Sequence, residues 1–80
     1  MQKWEYCKLE GVGDEKYFWP KLTFYMRDGE KVEDLKGKDE KERVSKRIAE
    51  LGLEGWEIVA IAPVTGKVTR VIYFKRPISN

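Results

Sequence analysis

The sequence predicts an α+β domain in which an antiparallel sheet of four to five strands carries one α-helix on one face, in the order β-β-β-α-β-β. Three observations predict this class. Several segments alternate along the chain with the period of two that marks a strand. One segment repeats its apolar residues with helical spacing, and Asp28-Gly29 directly follows an alternating segment, which is a hairpin signal. Eighty residues allow one domain, residues 1–80, with one core.

The first predicted strand is Lys3–Glu10. Its alternation separates two faces, one with Trp4, Tyr6 and Lys8 and the other with Glu5, Cys7 and Leu9. Gly11 and Gly13 are expected to end this strand, because glycines before a charged tip are typical of a turn.

The second and third strands form a predicted hairpin. Lys21–Arg27 places Leu22, Phe24 and Met26 on one face, and Asp28-Gly29 is expected to form the centre of a type I′ turn. The returning segment, Glu30–Leu35, is short and rich in charge. We expect it to be an edge strand whose charges discourage pairing with other chains.

The helix is predicted to begin near Asp39, which would cap it, with Glu42 completing a capping box. Its apolar residues at spacings of four and three are Val44, Ile48 and Leu51. Two glycines compete for the position that follows the helix. Gly55 is favoured because it would bring Trp56 against Leu51, and Gly52 then becomes a point of close approach to the sheet.

Two further strands are predicted after the helix. Trp56–Ala62 is apolar on both faces from Ile58 onward, which is typical of a central strand covered on both sides. Pro63 is expected to end it, and Thr65-Gly66-Lys67 to form a turn. The last strand is predicted over Val68–Lys75.

Residues at both ends of the chain carry a family resemblance. The segment Leu51-Gly52-Leu53-Glu54-Gly55-Trp56-Glu57-Ile58-Val59, together with Lys3-Trp4-Glu5-Tyr6 and Tyr73-Phe74-Lys75-Arg76-Pro77, resembles a family of small bacterial and phage proteins, domain-of-unknown-function family 4177. The resemblance implies a small α+β fold and no established activity. Independently of it, the Gly55-Trp56 corner is interpreted as a packing feature rather than a ligand site.

The residue counts argue against most catalytic chemistry. The chain has no histidine and one cysteine, Cys7, which excludes disulfide scaffolds, Cys/His zinc sites and His-dependent bases or nucleophile pairs. Two pairs of carboxylates lie close in sequence, Asp34 with Asp39 and Glu54 with Glu57, but both stand in charge-rich stretches. We therefore expect no enzyme activity, no cofactor and no metal site.

The N-terminal residues alternate charged and aromatic side chains and lack the apolar run of a signal peptide. No run of uncharged residues is long enough to span a bilayer. The prediction is a cytoplasmic protein with no membrane contact.

Aromatic and apolar residues exceed what one short helix can cover, so we expect a second cover for the sheet. That cover is either another copy of the chain, giving a homodimer, or another protein, or else the loop from Gly11 to Pro20 folding back over the face. The candidate interface consists of Trp4, Tyr17, Phe18, Trp19, Tyr25 and Tyr73.

A basic segment around the start of the helix supports an alternative. Its positive residues are Lys36, Lys38, Lys41, Arg43, Lys46 and Arg47. Together with exposed aromatics on the sheet, they would suit weak binding of single-stranded nucleic acid, or of a small ligand, on the same face. Three acidic residues interleave with them, and the chain as a whole carries a net charge of only +2.

Overall fold

Five antiparallel strands and one helix make up the part of the chain that the computed structural model describes, residues 1–12, 19–63 and 70–78. The predicted α+β class and element order are confirmed. The elements are β1 (Trp4–Val12), β2 (Lys21–Met26), β3 (Gly29–Asp34), α1 (Glu40–Leu53), β4 (Glu57–Pro63) and β5 (Arg70–Pro77).

The strands lie in the order β3-β2-β1-β5-β4, so the N-terminal strand is at the centre of the sheet. Cys7 of β1 lies between Phe24 and Phe74, and Leu9 lies between Leu22 and Ile72. This face is covered by α1, whose Val44 and Leu51 join the buried cluster together with Leu35 and Trp56. The predicted alternation of β1 is confirmed, because its two buried residues, Cys7 and Leu9, belong to one predicted face.

The strand β1 is longer than predicted. Instead of ending at Glu10 it continues through Gly11 to Val12, and its register with β5 shifts between Leu9 and Val12. Gly11 has a φ of 77°, and a Cβ there would lie 2.2 Å from the carbonyl oxygen of Trp19. Gly11 therefore does not end β1. Its missing side chain allows the backbone at Trp19 to pack closely against the strand.

The hairpin between β2 and β3 is confirmed, but its predicted turn is wrong. Met26 pairs with Gly29, so the two loop residues are Arg27 and Asp28 rather than Asp28 and Gly29. A type I′ turn needs positive φ at both loop residues. Here the positive φ, 149°, belongs to Gly29. The predicted role of β3 as an edge strand is confirmed.

The capping box predicted at the start of α1 is also wrong. Asp39 has a left-handed backbone, with φ 61° and ψ 39°, and its side chain makes no capping hydrogen bond. A capping residue normally has extended backbone angles, which direct its side chain toward the first turn. The preceding loop is held instead by Arg43, which donates to the carbonyl oxygens of Lys36 and Lys38, and by Glu40, which accepts from the Gly37 amide.

The end of α1 agrees with the prediction for Gly55. The Trp56 amide donates to the Leu51 carbonyl at 2.9 Å and the Gly55 amide donates to the Gly52 carbonyl at 3.1 Å, the two bonds of a Schellman motif. Gly55 has the left-handed φ of 94° that the motif requires. Leu51 and Trp56 are both buried in the core, as predicted for this arrangement.

Gly52 is not the close-approach position that the sequence predicted. It lies in the last turn of α1, and a Cβ added to it would meet no atom within 4 Å. We expect Gly52→Ala to raise the free energy of unfolding by about 0.5–1 kcal/mol, because alanine restricts the unfolded chain and suits a helix. Urea denaturation measures this change. Gly55→Ala is the matched control and is expected to destabilise; equal effects at the two positions would contradict the prediction.

The largest departure from the sequence prediction concerns β4. It is an edge strand of the sheet and not a central one. Its apolar side chains Ile58, Val59 and Ile61 are 50%, 49% and 56% exposed. The predicted turn over residues 65–67 and the start of the predicted last strand, residues 68–69, lie outside the described residues.

Candidate interaction surfaces

The sheet face opposite α1 presents a group of aromatic side chains. Trp4 and Tyr6 point to this face from β1, Tyr25 from β2 and Tyr73 from β5, and they are 37%, 51%, 41% and 41% exposed respectively. Tyr6 pairs with Tyr25 on one side and with Lys75 on the other. The aromatics therefore form one continuous surface across three adjacent strands, which we call the open face.

Lysines lie among these rings. The Lys75 ammonium is 4.1 Å from the centre of the Trp4 ring, and the Lys8 ammonium is 5.9 Å from that of Tyr25. A side-chain hydrogen bond with Tyr25 raises the pKa of Lys8, with Glu10 adding a smaller effect, so this lysine stays charged at neutral pH. Cation–π contacts at exposed sites contribute about 0.5–1 kcal/mol each.

Carboxylates balance the lysines of the open face. Glu10 lies 3.8 Å from the ammonium groups of both Lys8 and Lys21, and Glu57 lies 3.6 Å from that of Lys75. Two further acids share this face on β3, where Glu30 pairs with Tyr25 and Asp34 pairs with Lys21. The strands thus contribute acidic as well as basic groups, and among the described residues the open face has no excess of positive charge.

The candidate interface residues do not all belong to the open face. Trp4, Tyr25 and Tyr73 lie on the open face. Tyr6 also lies there but is not among the candidate interface residues, although the alternation of β1 places it on the same face as Trp4. Trp19 lies beside this aromatic group rather than within it. It precedes β2, and its indole N–H donates at 2.8 Å to Asp34, at the border of the open face that is farther from Tyr25. Tyr17 and Phe18 lie outside the described residues.

The candidate basic patch is divided by structural contacts. Arg47 is only 16% exposed and forms an ion pair of 2.7 Å with Glu33 of β3. Two further carboxylates of α1 and its C-terminus, Glu50 and Glu54, lie 3.9 and 3.5 Å from the same guanidinium. The hydrogen bond with Glu33 is the main cause that raises the pKa of Arg47. This arginine joins α1 to β3 rather than facing a ligand.

The other patch members differ in their roles. Arg43 binds the carbonyl oxygens of the loop before α1, and the Lys36 ammonium lies 4.2 Å from the centre of the Trp19 ring. The remaining members, Lys38, Lys41 and Lys46, are exposed. Free positive charge around the helix is therefore smaller than the sequence suggests.

The Gly55-Trp56 corner belongs to the core. Trp56 is 7% exposed, its ring lies 5.8 Å from that of Phe24, and the Arg76 guanidinium stacks 4.4 Å from its centre. Arg76 also pairs with Glu5 and donates to the Glu54 carbonyl. A cleft of about 540 Å³ lies beside these residues, and its charged side chains already have partners, since Glu5 pairs with Arg76 and the Glu54 carboxylate pairs with Arg47.

The carboxylates weighed as catalytic candidates lie on the surface. Asp34, Asp39, Glu54 and Glu57 are all exposed. In the part of the chain that the structure describes, no group of three or more Cys, Asp or Glu residues is placed to hold a metal ion. Within the same residues, no helix has both the length and the apolar composition needed to cross a membrane.

Comparisons with protein-family models, with curated proteins and with solved structures find no match for this chain. The family resemblance carried by the Gly55-Trp56 segment stays a prediction. Function is therefore inferred from two surfaces that the described residues, 1–12, 19–63 and 70–78, leave uncovered: the open face and the edge strand β4.

Proposed function

We propose that this chain is a small non-catalytic interaction domain that self-associates through the open face of its sheet. The observation that carries this proposal is the exposure of Trp4, Tyr6, Tyr25 and Tyr73 on one continuous surface. Aromatic residues are enriched at protein interfaces, where they supply large contact areas at a low cost in side-chain entropy.

The size of the open face suits a second copy. Strands about 4.8 Å apart and about seven residues long give a five-stranded face of roughly 550 Å² in projection. Two such faces together contribute about 1,100 Å², which lies at the small end of the range for specific interfaces, below the roughly 800 Å² on each partner that is typical. Lysines and glutamates that form ion pairs border the aromatic centre. Two copies can therefore meet without the repulsion that arises between two surfaces of the same charge.

The test is the solution mass after size-exclusion chromatography, measured by light scattering at low and high salt. Replacing Tyr25 and Tyr73 together with serine is expected to halve the mass of the assembly and to weaken self-association by about 100-fold or more, because each copy loses two central aromatic contacts. High salt is expected to leave the wild-type assembly intact, since apolar association strengthens rather than weakens with many salts.

Met26→Ser provides a matched control. Met26 is 56% exposed and belongs to the face that α1 covers, so this variant removes exposed apolar surface away from the open face. It is expected to keep the wild-type mass. A double tyrosine variant that is folded and retains the wild-type mass would refute the sheet-face contact.

The second candidate function is weak binding of single-stranded nucleic acid, or of a small aromatic ligand, on the open face. Tyrosines on three adjacent strands, with Lys8 and Lys75 between them, supply stacking surfaces and nearby positive charge. The carboxylates of Glu10 and Glu57 oppose it, since they neutralise both lysines. Titration with oligonucleotides distinguishes the two functions, because phosphate-driven binding falls steeply as salt rises.

A further inference from the structure

The two edges of the sheet differ sharply in chemistry. The β3 edge carries Glu30, Lys31, Glu33 and Asp34, the kind of charge that blocks pairing with another strand. The β4 edge carries no charge from Ile58 to Ala62. An uncharged apolar edge strand has backbone groups available to a partner and nothing in its side chains to repel one.

The apolar side chains of β4 are half-exposed on a sheet whose centre is well buried. Ile58 pairs with Phe74 and Ile61 pairs with Ile72, so both isoleucines are on the face that carries α1. The helix covers the central strands and leaves these two side chains 50% and 56% exposed. A further strand beside β4 would give them neighbours.

A bulge in β4 decides which strand fits. The register shifts between Ile58 and Ala60, so Val59 is an extra residue relative to β5. Ile58 and Ile61 therefore share a face although they are three residues apart, which a regular strand would not allow. By the same register Glu57 and Ala62 share the opposite face.

This arrangement is complementary to itself. When two β4 strands run antiparallel about a twofold axis between Val59 and Ala60, Ile58 of each copy lies opposite Ile61 of the other, and Glu57 lies opposite Ala62. In both of these pairs the opposed residues share a face, as antiparallel pairing requires. The two Glu57 carboxylates lie at opposite ends of the paired strands, roughly 17 Å apart, whereas parallel pairing would bring them together.

We propose that β4 pairs with β4 of a second copy in this register, joining two sheets into a continuous ten-stranded sheet. The inference goes beyond the contact proposed for the open face and does not depend on it, since the two surfaces are an edge and a face. With both contacts present, the assembly contains four chains, about four times the chain mass of 9.4 kDa.

Light scattering on three variants tests the edge contact. Ile61→Lys is expected to reduce a four-chain assembly to two chains and to weaken the edge contact by about 10²- to 10⁴-fold, because the twofold axis places the substitution in the interface twice. The double variant Tyr25→Ser, Tyr73→Ser is expected to form a dimer joined through β4. A variant that carries these two substitutions and Ile61→Lys is expected to be a monomer. Leu53→Lys, at a position 90% exposed at the end of α1, is the control and keeps the wild-type mass.

Cross-linking tests the register directly. A variant with Ile58→Cys and Ile61→Cys is expected to form disulfide-linked dimers on mild oxidation, since directly opposed strand residues have the Cα separation that a disulfide needs. Within one strand these positions lie about 10 Å apart and do not bond. Ile58→Cys with Ala62→Cys places the thiols on opposite faces and is expected to remain uncross-linked. Cys7 does not interfere, because it is buried.

The outcomes separate the two proposals. A mass that falls with the tyrosine variant but not with Ile61→Lys, with no cross-link between positions 58 and 61, would overturn the edge contact and leave the open-face contact standing. A mass that falls with Ile61→Lys alone would support the edge contact and overturn the other. A wild-type protein that remains one chain, together with an Ile58→Cys, Ile61→Cys variant that does not cross-link, would overturn both.

Discussion

Replacing Trp56 with alanine is expected to lower the free energy of unfolding by about 3–5 kcal/mol. The indole is 7% exposed, lies against Phe24 and supports the stacked guanidinium of Arg76. It is also the residue whose amide completes the Schellman motif at the end of α1. A domain of 80 residues has a stability on the order of 4–12 kcal/mol, so this loss is a large share of the total.

Trp19→Ala is the matched control for that measurement. Trp19 is 54% exposed, and among the described residues its side chain makes one hydrogen bond to Asp34 and one cation–π contact with Lys36. Its removal is expected to cost about 1 kcal/mol or less, because surface contacts contribute little. Urea unfolding followed by circular dichroism measures both variants. A cost at position 56 no greater than that at position 19 would contradict the role of Trp56 in the core.

The thiol of Cys7 is expected to react at least about 10³-fold more slowly with iodoacetamide in the folded protein than in urea at the same pH. Cys7 is 1% exposed between β2 and β5, and burial raises the pKa of its thiol from 9.0 to about 12. Only the thiolate is nucleophilic. Alkylation therefore requires the protein to open, and its rate follows the stability of the fold. A folded protein that reacts at the unfolded rate would contradict this placement.

The same pKa shift predicts how stability changes with pH. Below pH 9 the thiol is protonated in both states, so it adds no pH dependence. Between about pH 9 and pH 12 the unfolded chain releases this proton while the folded protein retains it. The unfolded state then binds fewer protons, and the free energy of unfolding falls as pH rises.

A comparison of wild type with Cys7→Ala isolates this effect. Every other ionisable group is the same in both proteins, so its contribution cancels in the comparison. The variant is less stable near neutral pH because it leaves a small cavity, and its stability is expected to fall less steeply between pH 9 and pH 12. Parallel curves for the two proteins would show that Cys7 does not contribute.

Much of the fold could be predicted because its signals are local. The alternation of Cys7 and Leu9 identified the inward face of β1, and helical spacing identified the face of α1 that Val44 and Leu51 share. The end of α1 was predicted by Gly55 and Trp56, whose hydrogen bonds join residues no more than five positions apart. Each of these features depends on a few neighbouring residues, so a short stretch of sequence is enough to specify it.

The start of α1 could not be predicted from Asp39 and Glu42 in the same way. Their spacing fits a capping box, but Arg43 binds the carbonyl oxygens of the preceding loop and Glu40 binds the Gly37 amide. Similarly, Arg47 looked like a member of a basic patch until its pairing with Glu33 on β3 was known. Both cases depend on which residues the fold brings within reach.

By itself the sequence determined the types of the elements, their order and the faces of β1 and α1, since strand and helix periods act within one segment. Only the tertiary structure decided which strands lie at the edges. The apolar run of β4 suggested a covered central strand. The central position is instead taken by β1, whose residues pair with residues of β5 that lie 58 to 73 positions away in sequence, from Val12 with Arg70 to Trp4 with Pro77. Strand order depends on pairing between segments that are distant in sequence and compete for the same partners. The periodicity of a single segment does not indicate which partner it will have. The exposure of β4 and of the open face, and with it the proposed assembly, follows from the outcome of that competition.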